Sequence, residues 1–373
     1  MKLLQASTAL RARVALHPRA MVLTDHLGTL SAGELLDLVQ LHRRRHRGAP
    51  VTDLGDLPAT APLRQVLVAA LAGDGVLAPR SSGTTGAPRL HRRGPLSPSQ
   101  LLTLSDLGRR IGLRPGRSIA SLAPGVHGHG LMVALGALGI GAPLVDLTHL
   151  PGPARIALLH RSSPALLTGI PVHLVNLLRA EQELGRGIPL HIPRVVSGSD
   201  ALSTALRAEL ARRFRARVHD VYGTTETGSL TVDGRPLRGV HLREADGLLH
   251  ARTPFTSGRE RVTDRGRIAA DGTVHVLGRA DGAVCSGGML HDPAAVVRVL
   301  LSQDGVARAR IRVVSDPRFG VRTLAEVELT ALPHGAPAPT PESLRALIHD
   351  RLGAAAVPRG VRVGPPELSS PGR

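Results

Sequence analysis

The sequence has very few aromatic residues and almost no lysine. It contains no tryptophan, one tyrosine (Tyr222) and three phenylalanines among 373 residues. Of its 47 basic residues one is Lys2, which leaves 46 arginines, a profile typical of a genome rich in G and C. Proteins that bind single-stranded nucleic acid need aromatic rings on which bases stack, and these are nearly absent. The net charge of +18 therefore does not predict a nucleic-acid partner.

Cysteine and long apolar runs are also scarce. The single cysteine, Cys285, cannot form an internal disulfide and is typical of a reducing cytoplasm. Arg11 and Arg13 interrupt the N-terminal segment, so no signal peptide is expected. The longest apolar run, residues 131–145, is shorter than the ~20 residues that a membrane helix needs. These absences predict a cytoplasmic protein without a membrane span.

The chain is long enough for two domains, and its pattern changes near residue 279. Leu206, Leu210 and Phe214 recur at helical spacing, and residues 218–222 then have the composition of a strand. Strands that alternate with helices predict an α/β fold for residues 1–278. Residues 48–64 are rich in Gly, Pro and Asp and predict a linker.

Residues 279–373 have a different pattern. We expect a helix at 294–302, strands near 308–315 and 323–330, and a helix over Pro341–Leu352. These elements predict a small α+β domain.

Residues 80–89 form a segment rich in Gly, Ser and Thr. Its glycines permit the positive φ angles that turn backbone N–H groups toward an anion, and Arg89 adds charge. The predicted phosphate-binding residues are Ser81, Ser82, Gly83, Thr84, Thr85 and Gly86. No Gly-Lys-Ser/Thr follows, so the segment is not a Walker loop. By itself such a segment also suits a flexible linker.

The segment resembles the Thr-Ser-Gly-Thr-Thr-Gly-x-Pro-Lys signature of the adenylate-forming superfamily, which includes acyl-coenzyme A synthetases, peptide-synthetase adenylation domains and luciferases. Other segments resemble the motifs of this family in the same order; they are residues 124–130, 195–202, 222–228, 264–266, 278–281 and 286–288. The resemblance extends from about residue 18 to the end, with gaps. It implies a shortened, multi-sheet α/β adenylation domain followed by a small α+β domain.

The resemblance implies a nucleotide site whose residues are Gly198, Tyr222, Gly223, Asp264 and Arg279. Tyr222 is expected to stack on adenine, and the Asp264 carboxylate to accept hydrogen bonds from the ribose hydroxyls. A core position for Tyr222 and a surface ion pair for Asp264 or Arg279 are the alternatives.

The same resemblance implies four catalytic residues. Thr225 is expected to donate to the α-phosphate and Glu226 to bind Mg²⁺, unless Glu226 is simply an exposed turn residue. Arg89 and Arg373 are the nearest counterparts of two family lysines. A guanidinium is broader than an ammonium group, which predicts weakened adenylation.

The acid is expected to contact His127, Gly223, Thr224 and Gly228. His127 and His129 could alternatively belong to a metal site, but neighbouring carboxylates are missing. Asp281 corresponds to the hinge between domains. Ser286, Gly287 and Gly288 correspond to the channel for the thiol, or else form an ordinary turn.

The resulting hypothesis is an acyl-coenzyme A synthetase that uses ATP and Mg²⁺. It would convert a carboxylic acid, expected to be a fatty acid, to acyl-AMP and pass the acyl group to coenzyme A or to the phosphopantetheine of an acyl carrier protein. The alternative is a protein of the same fold that binds a nucleotide or acyl-adenylate without full turnover.

Overall fold

A computed structural model describes residues 6–45, 54, 57–58, 60–73, 94–184, 189–286, 289–316, 318–330 and 337–364. Among these residues, those up to Leu277 form one compact unit and those from Gly278 form a second. The predicted phosphate-binding segment 80–89 lies outside the described residues. No helix in the described ranges is both long and apolar enough to cross a membrane.

The helices of the first unit are α1 (Ala6–Leu16), α2 (Ala32–Arg45), α3 (Leu63–Ala72), α4 (Pro98–Ile111), α5 (Gly128–Ile140), α6 (Gly152–Ser162), α7 (Pro171–Leu184) and α8 (Thr204–Phe214). The strands of its main sheet are β1 (Met21–Asp25), β2 (Gly28–Ser31), β3 (Ile119–Ser121), β4 (Leu144–Asp146), β5 (Leu166–Gly169), β6 (Arg194–Gly198), β7 (Arg217–Thr224), β8 (Gly228–Val232) and β9 (Arg235–Pro236). The predicted helix at Leu206–Phe214 and strand at 218–222 are confirmed as α8 and β7.

The main sheet has the strand order β2-β1-β4-β3-β5-β6-β7-β8-β9 within the described ranges. The strands from β1 to β7 in this order are parallel, whereas β2, β8 and β9 are antiparallel to their neighbours. Because the parallel strands are buried on both faces, they are nearly continuous apolar runs. The predicted α/β class is confirmed.

Helices cover both faces of this sheet. On one face α6, α7 and α8 pack on β3 to β7 around the fully buried Phe214. On the other face α1, α2, α3 and α5 pack around Leu35, Leu71 and Leu144. The predicted linker at 48–64 is wrong at its C-terminal end, because α3 begins at Leu63 directly after Pro62, and Leu63 is buried in this core.

A second, antiparallel sheet follows in the chain. Its strands are β10 (His241–Ala245), β11 (Leu248–Arg252), β12 (Arg261–Ile268) and β13 (Val274–Arg279), paired in that order. Strand β12 contains Asp264, which is buried although the strand alternates with exposed arginines.

The second unit is a small α+β structure. It contains the hairpin β14 (Val284–Ser286) and β15 (Met289–His291), helix α9 (Pro293–Leu301), strands β16 (Val306–Asp316) and β17 (Gly320–Leu329), helix α10 (Pro341–Leu352), and strand β18 (Gly360–Gly364). Strand β17 lies between β16 and β18, and α9 and α10 cover one face of this sheet. The elements predicted after residue 279 are therefore present, with bounds within a few residues of those expected.

Candidate active site

A crevice is expected at the carboxyl edge of the main sheet, between β3 and β5. The chain leaves β3 through α5 to reach β4 on one side, whereas it leaves β5 through α7 to reach β6 on the other side. Ligands of open α/β sheets bind outside the carboxyl ends of the strands, at such a reversal of strand order. At this edge His127 lies in the loop after β3, Gly198 is the last residue of β6, Tyr222 lies near the end of β7, and Glu226 lies in the turn after β7.

His127 is the N-cap residue of α5, at the end of the loop that follows β3. Its position depends on Gly130, because a Cβ atom there would lie 2.2 Å from the carbonyl oxygen of Pro124 and 2.4 Å from that of Ala123. Only glycine lets the loop fold back against the first turn of the helix. Burial lowers the pKa of His127, which favours the neutral imidazole.

His129 connects the ends of two strands. Its Nε2 lies 2.8 Å from Thr168 Oγ1 on β5, and its Nδ1 lies 3.2 Å from Ser199 Oγ just after β6. Burial lowers the pKa of His129 to about 4, so the ring is neutral at pH 7. A Cβ atom on Gly198 would lie 3.2 Å from His129 Cε1, so glycine at 198 leaves space for the imidazole.

His173 and Arg155 lie close to these histidines. Burial, followed by the positive charge of Arg155, lowers the pKa of His173 to about 4. The Arg155 guanidinium donates to the carbonyl oxygens of Leu147 (2.9 Å) and Thr148 (3.0 Å), which fixes it beside the end of β4. This edge of the sheet therefore combines neutral imidazoles with one fixed cation.

His129, His173 and Arg155 were not among the predicted site residues. For His129 a signal existed, because it lies two residues after His127 in the first turn of a helix that begins with glycine. His173 and Arg155 had none, since α6 and α7 bring them to the crevice only through tertiary packing.

Tyr222 and Asp264 meet although 42 residues separate them in the chain. The Tyr222 hydroxyl lies 2.8 Å from Asp264 Oδ2 and 3.0 Å from Thr263 Oγ1, and the buried carboxylate accepts the hydrogen bond. Tyr222 also packs against the core of the main sheet. The ring is thus held by its hydroxyl and by packing against the core, on the part of β7 that pairs with β8.

The turn from β7 to β8 is held by threonine hydroxyls. Thr227 N donates to Thr224 Oγ1 (3.2 Å), and Thr253 Oγ1 donates to the carbonyl of Thr227 (3.0 Å). A Cβ atom on Gly223 would lie 2.5 Å from the Gly228 carbonyl oxygen, so the two strands approach closely here. These contacts hold the turn, and the Glu226 side chain is exposed at its tip.

The exposed Glu226 carboxylate is compatible with Mg²⁺. This ion is commonly bound by one or two carboxylates together with substrate phosphates, so a single carboxylate at an open turn fits it. Within the described ranges no three His, Cys, Asp or Glu side chains form a metal-binding group. The metal alternative for His127 and His129 therefore has no further ligand among these residues.

Other predicted residues lie in the second unit or outside the described residues. Arg279 donates to Asp281 through Nη2 (2.8 Å) and Nε (3.2 Å), and this hydrogen bonding lowers the pKa of Asp281. Ser286 is buried at the end of β14. The predicted residues outside the described ranges are Ser81, Ser82, Gly83, Thr84, Thr85, Gly86, Arg89, Gly287, Gly288 and Arg373. Their roles, like those of the residues above, stay predictions.

The Tyr222 ring gives a direct test of nucleotide binding. We expect Tyr222→Ala to weaken ATP or AMP binding by about 1–3 kcal/mol, by analogy with base–aromatic stacking. Tyr222→Phe keeps the ring and removes only the hydroxyl that contacts Asp264, so we expect it to retain most of the affinity. Calorimetry on the folded variants measures both. Equal affinity in Tyr222→Ala and the natural protein would remove Tyr222 from the site.

The chain is similar to known proteins in sequence and in fold. Residues 18–277 match the family described as AMP-binding enzyme. A probable 2-succinylbenzoate–CoA ligase from Mycobacterium tuberculosis is 32% identical over 161 residues, which are 38% of this chain and 41% of that protein. The 4-chlorobenzoate–CoA ligase of a Pseudomonas species is 26% identical over 294 residues, which are 67% of this chain and 54% of that protein.

The match thus spans about half or less of the length of these relatives. Among solved structures, an amide bond synthetase from Marinactinospora thermotolerans has the same fold. Its TM-score is 0.76 at 19% identity, with 99% of this chain and 97% of that chain covered. Because the family match includes the crevice, the Tyr222–Asp264 pair and the Glu226 turn, the chain belongs to the AMP-binding enzyme family of the adenylate-forming superfamily.

Proposed function

We propose that the protein activates a carboxylic acid with ATP and transfers the acyl group to a thiol, as acyl-coenzyme A synthetases do. The observation that carries the proposal is the hydrogen bond between Tyr222 and the buried Asp264, with the hydrogen-bonded Glu226 turn following Tyr222 in the chain. Tyr222 would supply an aromatic face, Asp264 an acceptor for ribose hydroxyls, and Glu226 a ligand for Mg²⁺. The relatives named as CoA ligases support the same reaction class.

In the first step a carboxylate oxygen of the acid attacks the α-phosphorus of ATP, and the bond to the bridging oxygen breaks as pyrophosphate leaves. In the second step the thiol sulfur attacks the acyl carbon, AMP leaves, and the thiol proton is released to solvent. A carboxylate is already a nucleophile, so the first step needs no general base. The task of the protein is to orient the reactants and to stabilise developing charge.

The residues of the Tyr222–Gly228 segment would divide this task. Tyr222 and Asp264 would fix the nucleoside, Thr225 would donate to the α-phosphate, and Glu226 would bind Mg²⁺. The ion, when bound, offsets the charge of the phosphates and of the leaving pyrophosphate. Arg279 would bind the nucleotide, Asp281 would be the hinge, and Ser286 would line the channel for the thiol.

For the acid, a fatty acid remains the proposal. Burial lowers the pKa of both His127 and His129, which favours their neutral forms. Leu122 is buried beside Gly169 at the same edge. Neutral imidazoles and a buried leucine suit the apolar part of an acyl chain, and the Arg155 guanidinium at this edge suits a carboxylate. The buried His129 ring, however, occupies the space between the ends of β5 and β6, which favours a short chain. An aromatic acid is the second candidate, because two relatives are named for benzoate derivatives.

Pyrophosphate exchange with a panel of acids tests the proposal. The panel contains fatty acids of increasing length and substituted benzoates, each measured with ATP and Mg²⁺, followed by coenzyme A or a phosphopantetheinylated carrier protein. Exchange with at least one acid and subsequent thioester formation are expected. The rival function is binding of a nucleotide or acyl-adenylate without turnover. This rival is favoured by Arg89, which stands where the family has a lysine. Tight binding of a non-hydrolysable acyl-adenylate without exchange by any acid would establish that rival.

We also propose a cytoplasmic location, because a single cysteine is typical of a protein in a reducing compartment.

Glu226→Gln separates a metal-binding role from a structural one. If Glu226 binds Mg²⁺, the amide should lower adenylation roughly tenfold to a hundredfold at limiting Mg²⁺ and much less at saturating Mg²⁺, because the ligand loses its charge. The measurement is the exchange rate as a function of Mg²⁺ concentration. A loss of the same size at every concentration would make Glu226 a structural residue of the turn.

A further inference from the structure

One face of the small sheet in the second unit is lined by arginines. Arg308, Arg310 and Arg312 alternate along β16, so all three side chains lie on the same face, and they are 68%, 72% and 57% exposed. Arg362 on β18 is in register with Glu326 on β17, which in turn is in register with Arg310, so Arg362 lies on this face too. We call Arg308, Arg310, Arg312, Arg362, Glu326 and Glu328 the arginine face.

The core of the unit lies on the opposite face. Within the described part of this unit, the buried apolar residues of β17 and β18 are Ala325, Val327 and Val361, which point away from the arginine face. They pack against α9 and α10, through residues such as Leu300 and Ile348. The arginines therefore contribute nothing to the core of the unit.

Ion pairing within the face accounts for only part of its charge. Arg310 and Arg312 both contact Glu326, the second at 3.2 Å, and Arg308 lies 3.8 Å from Glu328. Four guanidinium groups thus face two carboxylates. Exposed ion pairs of this kind contribute little to stability, about 0–1 kcal/mol each. Protection of the β16 edge against aggregation needs a charge, but not three arginines on one face of the strand.

We propose that the arginine face is a docking surface for a second protein that presents acidic side chains on a helix. Alternate residues of a strand are about 7 Å apart, and carboxylates one helical turn apart are separated by about 6 Å, so three arginines in a row can each meet one carboxylate. Electrostatic complementarity of this kind speeds association and sets the orientation of the partner.

The two glutamates distinguish a protein partner from a nucleic acid. Glu326 lies between Arg310 and Arg362 in the middle of the face, where it would repel a phosphate backbone, which is negative at every position. A protein can place a lysine or arginine opposite Glu326 and carboxylates opposite the arginines. The described part of the second unit has no Trp or Tyr on which bases could stack, and the Phe319 ring already contacts the guanidinium groups of Arg318 and Arg322. The inference does not depend on the reaction proposed above.

Binding of defined probes to the full-length chain tests the inference. The first probe is a fluorescent, helix-stapled peptide with glutamates one turn apart and one central lysine, and the second is a twenty-residue oligothymidine. Fluorescence anisotropy at low and moderate salt measures the affinity of each. We expect the peptide to bind, with an affinity that falls as salt increases.

A matched pair of variants locates the binding site. The first changes Arg308, Arg310 and Arg312 to glutamine, and the control changes three arginines that are also mostly exposed elsewhere, Arg109, Arg212 and Arg243, to glutamine. Both variants lose the same net charge. We expect the first to lose at least tenfold in peptide affinity and the control less than threefold, with both folds verified by circular dichroism. Equal losses in the two variants, absence of peptide binding, or a larger loss for the oligonucleotide would each overturn the proposal.

Discussion

Replacing Gly130 by alanine is expected to lower the free energy of unfolding by about 3 kcal/mol and to remove most of the activity. The new Cβ atom would lie 2.2 Å from the Pro124 carbonyl oxygen and 2.4 Å from the Ala123 carbonyl oxygen. Both are backbone atoms, so no side-chain rotation can relieve the contact. The loop that positions His127 must move, and a displacement of about 1 Å at a site can lower the rate a hundredfold.

The same substitution elsewhere in α5 should have the opposite effect. Gly136 is exposed on this helix, and a Cβ atom there would meet no atom within 4 Å. Gly136→Ala is therefore expected to raise the free energy of unfolding by about 0.5–1 kcal/mol, because alanine favours the helix, and to leave activity unchanged. Urea unfolding and pyrophosphate exchange measure both variants. Changes of the same sign in the two variants would contradict the structure around Gly130.

The regular elements of the fold were predictable because they depend on local patterns. Apolar residues at helical spacing identified α8, and the Pro341–Leu352 helix begins after a threonine that caps it. The order of the strands was not predictable. The position of β3 between β4 and β5, which creates the crevice, depends on pairing between distant segments.

The candidate site was predictable only where it follows a sequence motif. The Tyr222–Gly228 motif and Asp264 were both identified, but the hydrogen bond between Tyr222 and Asp264 required the pairing of β11 with β12 and its placement beside β7. His129 and Ser199 lie in the motif-like segments 124–130 and 195–202, but their contact with each other and with Thr168 on β5 joins three separate parts of the chain. A sequence specifies such contacts only through its complete fold.

Low pH should destabilise the protein through His129, because burial of this ring disfavours its protonated form. The pKa of His129 is about 4 in the folded protein, lowered from 6.5 by burial of the ring. As the pH falls below 6.5 the unfolded chain binds the proton while the folded protein does not, so the free energy of unfolding decreases by about 1.4 kcal/mol per pH unit. The loss reaches about 3 kcal/mol near pH 4, where the folded form also protonates, and this residue adds no pH dependence above about pH 7.

His129→Gln isolates this contribution. Glutamine keeps an amide that can reach Thr168 or Ser199, but it does not titrate. Between pH 7 and pH 4 the free energy of unfolding of the variant should therefore fall by about 3 kcal/mol less than that of the natural protein. Part of the loss of stability at low pH should persist in this variant, because burial also lowers the pKa of His173.

Thr168→Val is the control. It removes the partner of His129 Nε2 but leaves the imidazole, so it should lower the free energy of unfolding at pH 7 and retain the steep pH dependence. Urea unfolding at several pH values gives these slopes. If His129→Gln has the same slope as the natural protein, then the folded protein and the unfolded chain protonate His129 equally well, and burial does not lower its pKa.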